Sequence, residues 1–183
     1  MQNILLIHGL NGSGEHSSTG KTLKNFFGAG VYTPNLPNNP AAWYDFLDGY
    51  IGDHFALQPF VLLGNSTGGL LAASLAAEHQ WPLVLINPVV EALDLAEFTG
   101  WNTKFASGDK WFFAREDVEL LRQFDVIEAG VPTLIFLGKN DEVLDYRKAV
   151  HIFDKTAQMV INDNSHQYRL SQSDLETLQT FCR

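Results

Sequence analysis

A serine stands between two glycines in the pattern G-x-S-x-G at residues 64–68, with Ser66 at its centre. The apolar run 60–63 precedes this pattern, and an alanine-rich stretch with helical spacing follows it. A serine on such a sharp turn from strand to helix has a strained backbone, and side chains two residues away would clash, so glycine is needed at both positions. The pattern predicts that Ser66 is a nucleophile. The alternative is a tight glycine turn with an incidental serine.

A serine hydroxyl is a weak nucleophile, and it requires a base to take its proton and an acid to orient that base. After a serine turn of this kind, the acid precedes the histidine along the chain. Asp141, directly beyond the apolar run 134–137, and His166, in the polar loop after the last apolar run, fit that order. Asp145 is the rival acid, although its place before a helical stretch suits an N-cap better. A role for Asp141 in simple turn formation is the other alternative.

A reaction of this type also needs amide donors for the negative charge that develops on the substrate oxygen. One donor comes from the residue after the nucleophile and one from the loop after an early strand. We therefore expect the backbone N–H groups of Thr67 and Leu10 to form the oxyanion hole, with Asn11 as a substitute for Leu10. His8, which precedes this loop, is expected to brace it rather than to take part in the reaction.

Short apolar runs alternate with helically spaced stretches along almost the whole chain. Continuous apolar runs are typical of strands buried on both faces, and alternation with helices indicates parallel strands joined by right-handed crossovers. The fold class predicted is α/β, with a doubly wound, mainly parallel sheet of about six strands and helices on both faces. Ligands bind at the carboxyl ends of such strands. The predicted strands are 4–7, 31–33, 60–63, 83–86, 134–137 and 159–161, and the predicted helices are 19–27, 41–55, 67–79, 145–154 and 171–181.

One interval is too long for a single crossover helix. Residues 89–124 form an aromatic-rich excursion, and we expect it to belong to one domain that spans residues 1–183. Its aromatic side chains either line a substrate pocket or form a small core of their own. As pocket residues we name Asn11, Trp101, Trp111 and Phe112, and Phe105 belongs to the same aromatic group.

Composition excludes several classes of function. The 183 residues include 12 Lys plus Arg and 21 Asp plus Glu, and the net charge of −9 disfavours nucleic acids and anionic membrane surfaces as partners. A single cysteine, Cys182, excludes an internal disulfide and a multi-cysteine metal site and makes the cytoplasm the expected compartment. We expect no signal peptide and no membrane span. A P-loop at Gly14 and Gly20 is excluded because one residue too many separates the two glycines.

These motifs together resemble the α/β-hydrolase superfamily and, within it, the small bacterial YqiA/YcfP-like esterases. The matching pieces are residues 8–11, 64–69, 87–90, 141–147 and 164–166. Asn65 and Thr67 differ from the residues that we expect beside the serine in this family. Small hydrolases that resemble retinoblastoma-binding protein nine are therefore an alternative group of near relatives.

The resemblance implies a serine esterase or thioesterase that acts on small acyl esters or thioesters, acyl-CoA among them, and needs no cofactor or metal. Ser66, Asp141 and His166 would form its triad. An anionic CoA group would require a local basic patch, for which Lys21, Lys24, Lys104, Lys110 and Arg115 are available. The alternative function is a binding or interaction module that keeps the fold with weak or no catalysis. The oligomeric state stays open.

Overall fold

The computed structural model describes residues 2–55, 60–127 and 130–183 and contains eight strands in these ranges. Six of them form one parallel sheet in the order β2-β1-β3-β4-β7-β8, and β5 and β6 pair separately as an antiparallel hairpin. The six-stranded parallel sheet confirms the predicted fold class, and each predicted apolar run overlaps one of its strands, although β2 ends one residue before the predicted 31–33. The strands are β1 (Asn3–Ile7), β2 (Val31–Tyr32), β3 (Phe60–Asn65), β4 (Leu83–Ile86), β5 (Gly100–Thr103), β6 (Lys110–Phe113), β7 (Thr133–Gly138) and β8 (Ala157–Asn162).

Within the described residues, six α-helices accompany these strands, and five of them coincide with the predicted helical stretches. Side-chain caps define several of the starts: Ser17 accepts a hydrogen bond from the Gly20 amide, and Ser171 accepts one from the Asp174 amide. None of the helices in the described ranges has the length and apolar character needed to cross a membrane. The helices are α1 (Ser18–Phe27), α2 (Trp43–Phe55), α3 (Gly68–His79), α4 (Arg115–Leu121), α5 (Tyr146–Phe153) and α6 (Gln172–Phe181).

The core has two layers because both faces of the central strands are covered by helices. Successive strand residues point to opposite faces, so Leu5 and Leu62 pack in one layer and Leu6 and Leu63 in the other. The first layer includes buried residues of α2, α3 and α5, and the second includes those of α1 and α6. The strands β1, β3, β4 and β7 thus read as nearly unbroken apolar runs.

The segment between β4 and β7 holds the predicted excursion. It begins with a 3₁₀ helix, Ala92–Phe98, continues through the β5–β6 hairpin, and returns through α4 and a second 3₁₀ helix, Arg122–Phe124. The hairpin was not predicted, because β5 has no apolar run and the apolar run of β6 is only three residues long, 111–113.

Candidate active site

The turn between β3 and α3 holds Ser66 in a backbone conformation that non-glycine residues rarely adopt, with φ of +52°. A Cβ atom added at Gly64 would lie 2.7 Å from the Gly68 carbonyl oxygen, and one added at Gly68 would lie 2.2 Å from the Ile7 carbonyl oxygen. Both glycines of the G-x-S-x-G pattern are therefore required by close backbone approach, as expected. The turn lifts Ser66 to the carboxyl edge of the sheet.

The structure brings the three predicted triad residues into one chain of hydrogen bonds. The Ser66 Oγ lies 3.0 Å from His166 Nε2, and His166 Nδ1 lies 3.0 Å from each oxygen of Asp141. Because a carboxylate can only accept, His166 Nδ1 carries a hydrogen toward Asp141, and Nε2 is left to accept the hydroxyl hydrogen of Ser66. This is the arrangement in which the imidazole can receive a proton from serine.

The loop after β7 shapes the environment of the acid. The Asp141 side chain is only 1% exposed, and its Oδ1 accepts hydrogen bonds from the amides of Val143 at 2.9 Å and Leu144 at 2.8 Å. Asp145, the rival acid, instead caps α5 by accepting from the Arg147 amide, and it forms an ion pair with the Arg147 guanidinium. Hydrogen bonding from Arg147 lowers the pKa of Asp145.

Two residues that the sequence analysis did not assign to the site hold the histidine loop. Glu142 accepts a hydrogen bond from the His166 amide at 3.1 Å, and this bond lowers the pKa of Glu142. The side-chain amide of Asn87 donates from Nδ2 to the carbonyl oxygens of Ser165 at 2.9 Å and His166 at 3.2 Å. A polar side chain directly after a central strand was the available signal for Asn87, and adjacency to the acid was the signal for Glu142.

The loop after β1 approaches the nucleophile closely. A Cβ atom added at Gly9 would lie 3.1 Å from Ser66 Cβ. Leu10 and Thr67 both border the cavity above Ser66, and within the described ranges neither backbone N–H donates a hydrogen bond to the protein. Two amides with free bonding capacity therefore flank the predicted nucleophile.

His8 braces this loop, as expected from the sequence. Its Nε2 accepts from the Leu36 amide at 3.0 Å, and its Nδ1 donates to the Gly9 carbonyl at 2.8 Å. Burial lowers the pKa of His8 to about 4, so the neutral ring that this pattern needs is the form present at neutral pH.

A cavity of about 530 Å³ opens above Ser66 and His166. Its walls combine hydroxyl and amide groups from residues 11–19 with apolar side chains from the excursion and from the loop after β7. Apolar wall residues include Val89, Leu95, Phe98, Phe105 and Leu144. Asn11, expected in the pocket, is among the lining residues.

The structure corrects the expectation for three aromatic pocket residues. Trp111 faces inward from the hairpin, is 4% exposed, and donates from Nε1 to Asn11 Oδ1 at 2.8 Å without lining the cavity. Trp101 and Phe112 are paired across the hairpin on its opposite face and are 75% and 54% exposed. Alternation along β6 places Phe112 outward when Trp111 points inward. The cavity is lined from the excursion by Phe98 and Phe105 instead.

In the part of the chain that the structure describes, no lysine or arginine lines this cavity. The five candidates for a CoA-binding patch all lie elsewhere, and Lys104 lies over the ring of Trp111, 4.8 Å from its centroid. Among the described residues that line the cavity, Glu142 supplies the one carboxylate.

Solved structures of hydrolases share this fold at low sequence identity. Mouse alpha/beta hydrolase domain-containing protein 10 matches with a TM-score of 0.71 at 14% identity, covering 96% of this chain and 86% of that one. Est1E from Butyrivibrio proteoclasticus with ferulic acid bound matches with a TM-score of 0.71 at 17% identity, covering 99% of this chain and 86% of that one. A putative hydrolase from Agrobacterium vitis S4 matches with a TM-score of 0.72 at 17% identity, covering 100% of this chain and 88% of that one.

The sequence itself matches a family over nearly its whole length. Residues 3–183 match the family described as Uncharacterised protein family (UPF0227). This match agrees with the YqiA-like resemblance seen in the motifs, and the sheet agrees with the superfamily. The chain therefore belongs to the UPF0227 family and has the α/β-hydrolase fold.

Proposed function

We propose that this protein is a serine hydrolase that cleaves carboxylic ester bonds of small acyl substrates through a Ser66-His166-Asp141 triad. The observation that carries the proposal is the unbroken hydrogen-bond chain from Asp141 to Ser66, which ends at the floor of a cavity. The strained serine turn supports the same assignment, because such strain is typical of functional positions.

In the proposed mechanism, His166 takes the hydroxyl proton as Ser66 attacks the acyl carbonyl carbon. The amides of Leu10 and Thr67 then stabilise the negative oxygen of the tetrahedral intermediate. His166 returns the proton to the leaving alcohol, and an acyl-enzyme remains on Ser66. A water molecule, deprotonated by His166, releases the carboxylic acid and restores the serine.

The cavity favours neutral esters over CoA thioesters. A CoA group carries several negative charges, yet the described cavity wall includes the Glu142 carboxylate and no lysine or arginine. The protein as a whole also carries a net charge of −9, which opposes the approach of an anion. We therefore propose an apolar acyl group and an uncharged alcohol as the two halves of the substrate.

A covalent probe of serine hydrolases tests this function directly. We expect a fluorophosphonate to label the wild-type protein stoichiometrically and to leave Ser66→Ala unlabelled, with short-chain aryl esters hydrolysed only by the wild type. A series of acyl esters and acyl-CoA thioesters would then rank the substrates. A folded wild-type protein that neither binds the probe covalently nor hydrolyses any ester would favour the alternative, a binding module with the same fold.

A further inference from the structure

Asn87 occupies the first position after β4, between the strand that leads to the nucleophile and the strand that leads to the acid. It is 2% exposed, and its backbone is left-handed, with φ of +38°. Asparagine tolerates this conformation better than most residues with a side chain. The position therefore combines a sharp turn of the backbone with a buried amide side chain.

The side chain of Asn87 replaces a backbone partner in the sheet. The backbone amide of Asn87 donates to the Phe136 carbonyl at 3.0 Å, and this bond extends the parallel ladder by one bond beyond β4. If the ladder continued, the Gly138 amide would donate to the backbone carbonyl of Asn87. The left-handed turn interrupts this pattern, and the Gly138 amide instead donates to Asn87 Oδ1 at 2.8 Å. The loop that carries Asp141 thus begins from a residue held by Asn87.

The other half of the same side chain holds the loop of the base. Asn87 Nδ2 donates to two consecutive carbonyl oxygens, those of Ser165 and His166. These bonds reach past β7 to the loop that follows β8, which is not adjacent to β4 in the sheet. The side chain therefore links β4 to the backbone of the histidine independently of the bonds within the triad.

The backbone on either side of Asn87 holds the nucleophile. The Ser66 amide donates to the Ile86 carbonyl at 3.0 Å, and the Val89 amide donates to the Ser66 carbonyl at 3.0 Å. The backbone of residues 86–89 consequently fixes Ser66, while the Asn87 side chain fixes the loops of Asp141 and His166.

We propose that Asn87 is a positioning residue that sets the distances among Ser66, His166 and Asp141 through its buried side-chain amide. This inference rests on the proposed hydrolase function. It assigns no contact with substrate to Asn87. An amide is required because Oδ1 must accept from Gly138 while Nδ2 donates to the histidine loop, and a carboxylate or an aliphatic side chain cannot do both.

Asn87→Gly removes the side-chain amide but keeps the left-handed backbone conformation, because glycine adopts positive φ without strain. We expect kcat for a short-chain aryl ester to fall about 10- to 100-fold, since small misplacement of catalytic groups has effects of this size. KM should change less than about twofold, because Asn87 does not line the cavity. The assays are run at a temperature at which unfolding curves show each variant to be folded.

Gln80→Gly is the matched control. Gln80 is also a left-handed residue, with φ of +58°, and its side-chain amide also donates to a backbone carbonyl, but it caps the far end of α3. We expect wild-type kcat for this control. Wild-type kcat in Asn87→Gly, or a rise in KM alone, would overturn the assignment.

Asn87→Asp tests the donor function separately. Its ionised carboxylate still accepts from Gly138 but faces the carbonyls of Ser165 and His166, whereas its protonated form can donate to one of them. Burial and the two facing carbonyl oxygens would raise the pKa of a carboxyl at this position. We therefore expect the ratio of its kcat to that of the wild type to rise as the pH falls from 8 to 6, with a constant ratio for Asn87→Gly. Wild-type kcat for Asn87→Asp at pH 8, where its carboxylate cannot donate, would contradict the donor role.

The same series distinguishes failure of this inference from failure of the proposed function. A wild-type protein that labels and turns over, together with fully active Asn87 variants, would overturn the positioning role alone. A wild-type protein with no labelling and no turnover would overturn both.

Discussion

Two aspartates in one loop differ sharply in their surroundings. Asp141 is buried and holds the imidazole of His166, whereas Asp145 is exposed and holds the first turn of α5. The sequence separated them because Asp145 immediately precedes a helical stretch, and aspartate is a favoured residue at that position. The contacts of Glu142 and Asn87 with the histidine loop could not be predicted, because they join residues that are 24 positions apart for Glu142 and 78 and 79 positions apart for Asn87.

Asp141→Asn tests the acid at the scale of a single side chain. The amide keeps the shape of Asp141 but can donate to Nδ1, which favours the tautomer with a hydrogen on Nε2 and removes the acceptor for the Ser66 hydroxyl. We expect kcat to fall by about 10³- to 10⁴-fold. Asp145→Asn is the control in the same loop, and its kcat should stay within about twofold of wild type. Equal losses in the two variants, measured by ester hydrolysis, would argue against Asp141 as the acid.

At the scale of elements, the strands of the sheet could be predicted from the sequence, whereas the hairpin of the excursion could not. The sheet strands were predictable because burial on both faces leaves a continuous apolar run, as in β3. The hairpin carries aromatic side chains on both faces, with Trp111 inward and Trp101 and Phe112 outward. The inward side chain of Trp111 bonds to the distant residue Asn11. That contact links the hairpin to the loop after β1, as does the hydrogen bond from the Phe105 amide to the Asn11 carbonyl. No local pattern encodes either pairing.

Phe98→Ala tests the apolar wall that the excursion supplies. Phe98 lines the cavity, and its removal enlarges the space available to an acyl chain. We expect the ratio of kcat/KM for octanoate esters to that for acetate esters to rise severalfold. Phe112→Ala, a matched change on the outward face of the hairpin, should leave this ratio unchanged. An altered ratio in Phe112→Ala alone would place the acyl site elsewhere.

At the scale of the whole molecule, the buried neutral His8 connects stability to pH. Its pKa is lowered to about 4 in the folded protein, whereas an unfolded histidine titrates near 6.5. Between these values the unfolded chain binds a proton that the folded protein does not. The contribution of His8 is therefore fully present above pH 6.5 and is lost as the pH falls toward 4.

We expect this loss to be about 2–3 kcal/mol of unfolding free energy between pH 7 and pH 4.5. His8→Gln removes the titrating group while keeping an oxygen that can accept from the Leu36 amide. Urea unfolding at the two pH values should therefore show a smaller loss for the variant than for the wild type. Equal losses would mean that protonation of His8 does not limit stability in acid.

The residues with a left-handed backbone also indicate which substitutions we expect in related sequences. Among the described residues, three non-glycine positions have positive φ, and two of them, Ser66 and Asn87, belong to the proposed site. Such a backbone costs roughly 1–2 kcal/mol per residue relative to a relaxed one, and glycine relieves it. In a lineage released from the proposed reaction, mutation of Ser66 to glycine would therefore increase stability. The same mutation at Asn87 would also leave the Gly138 amide and two carbonyl oxygens without their hydrogen-bond partner. A serine retained at the position of Ser66 in a distant relative would therefore be a sign of continuing selection for catalysis.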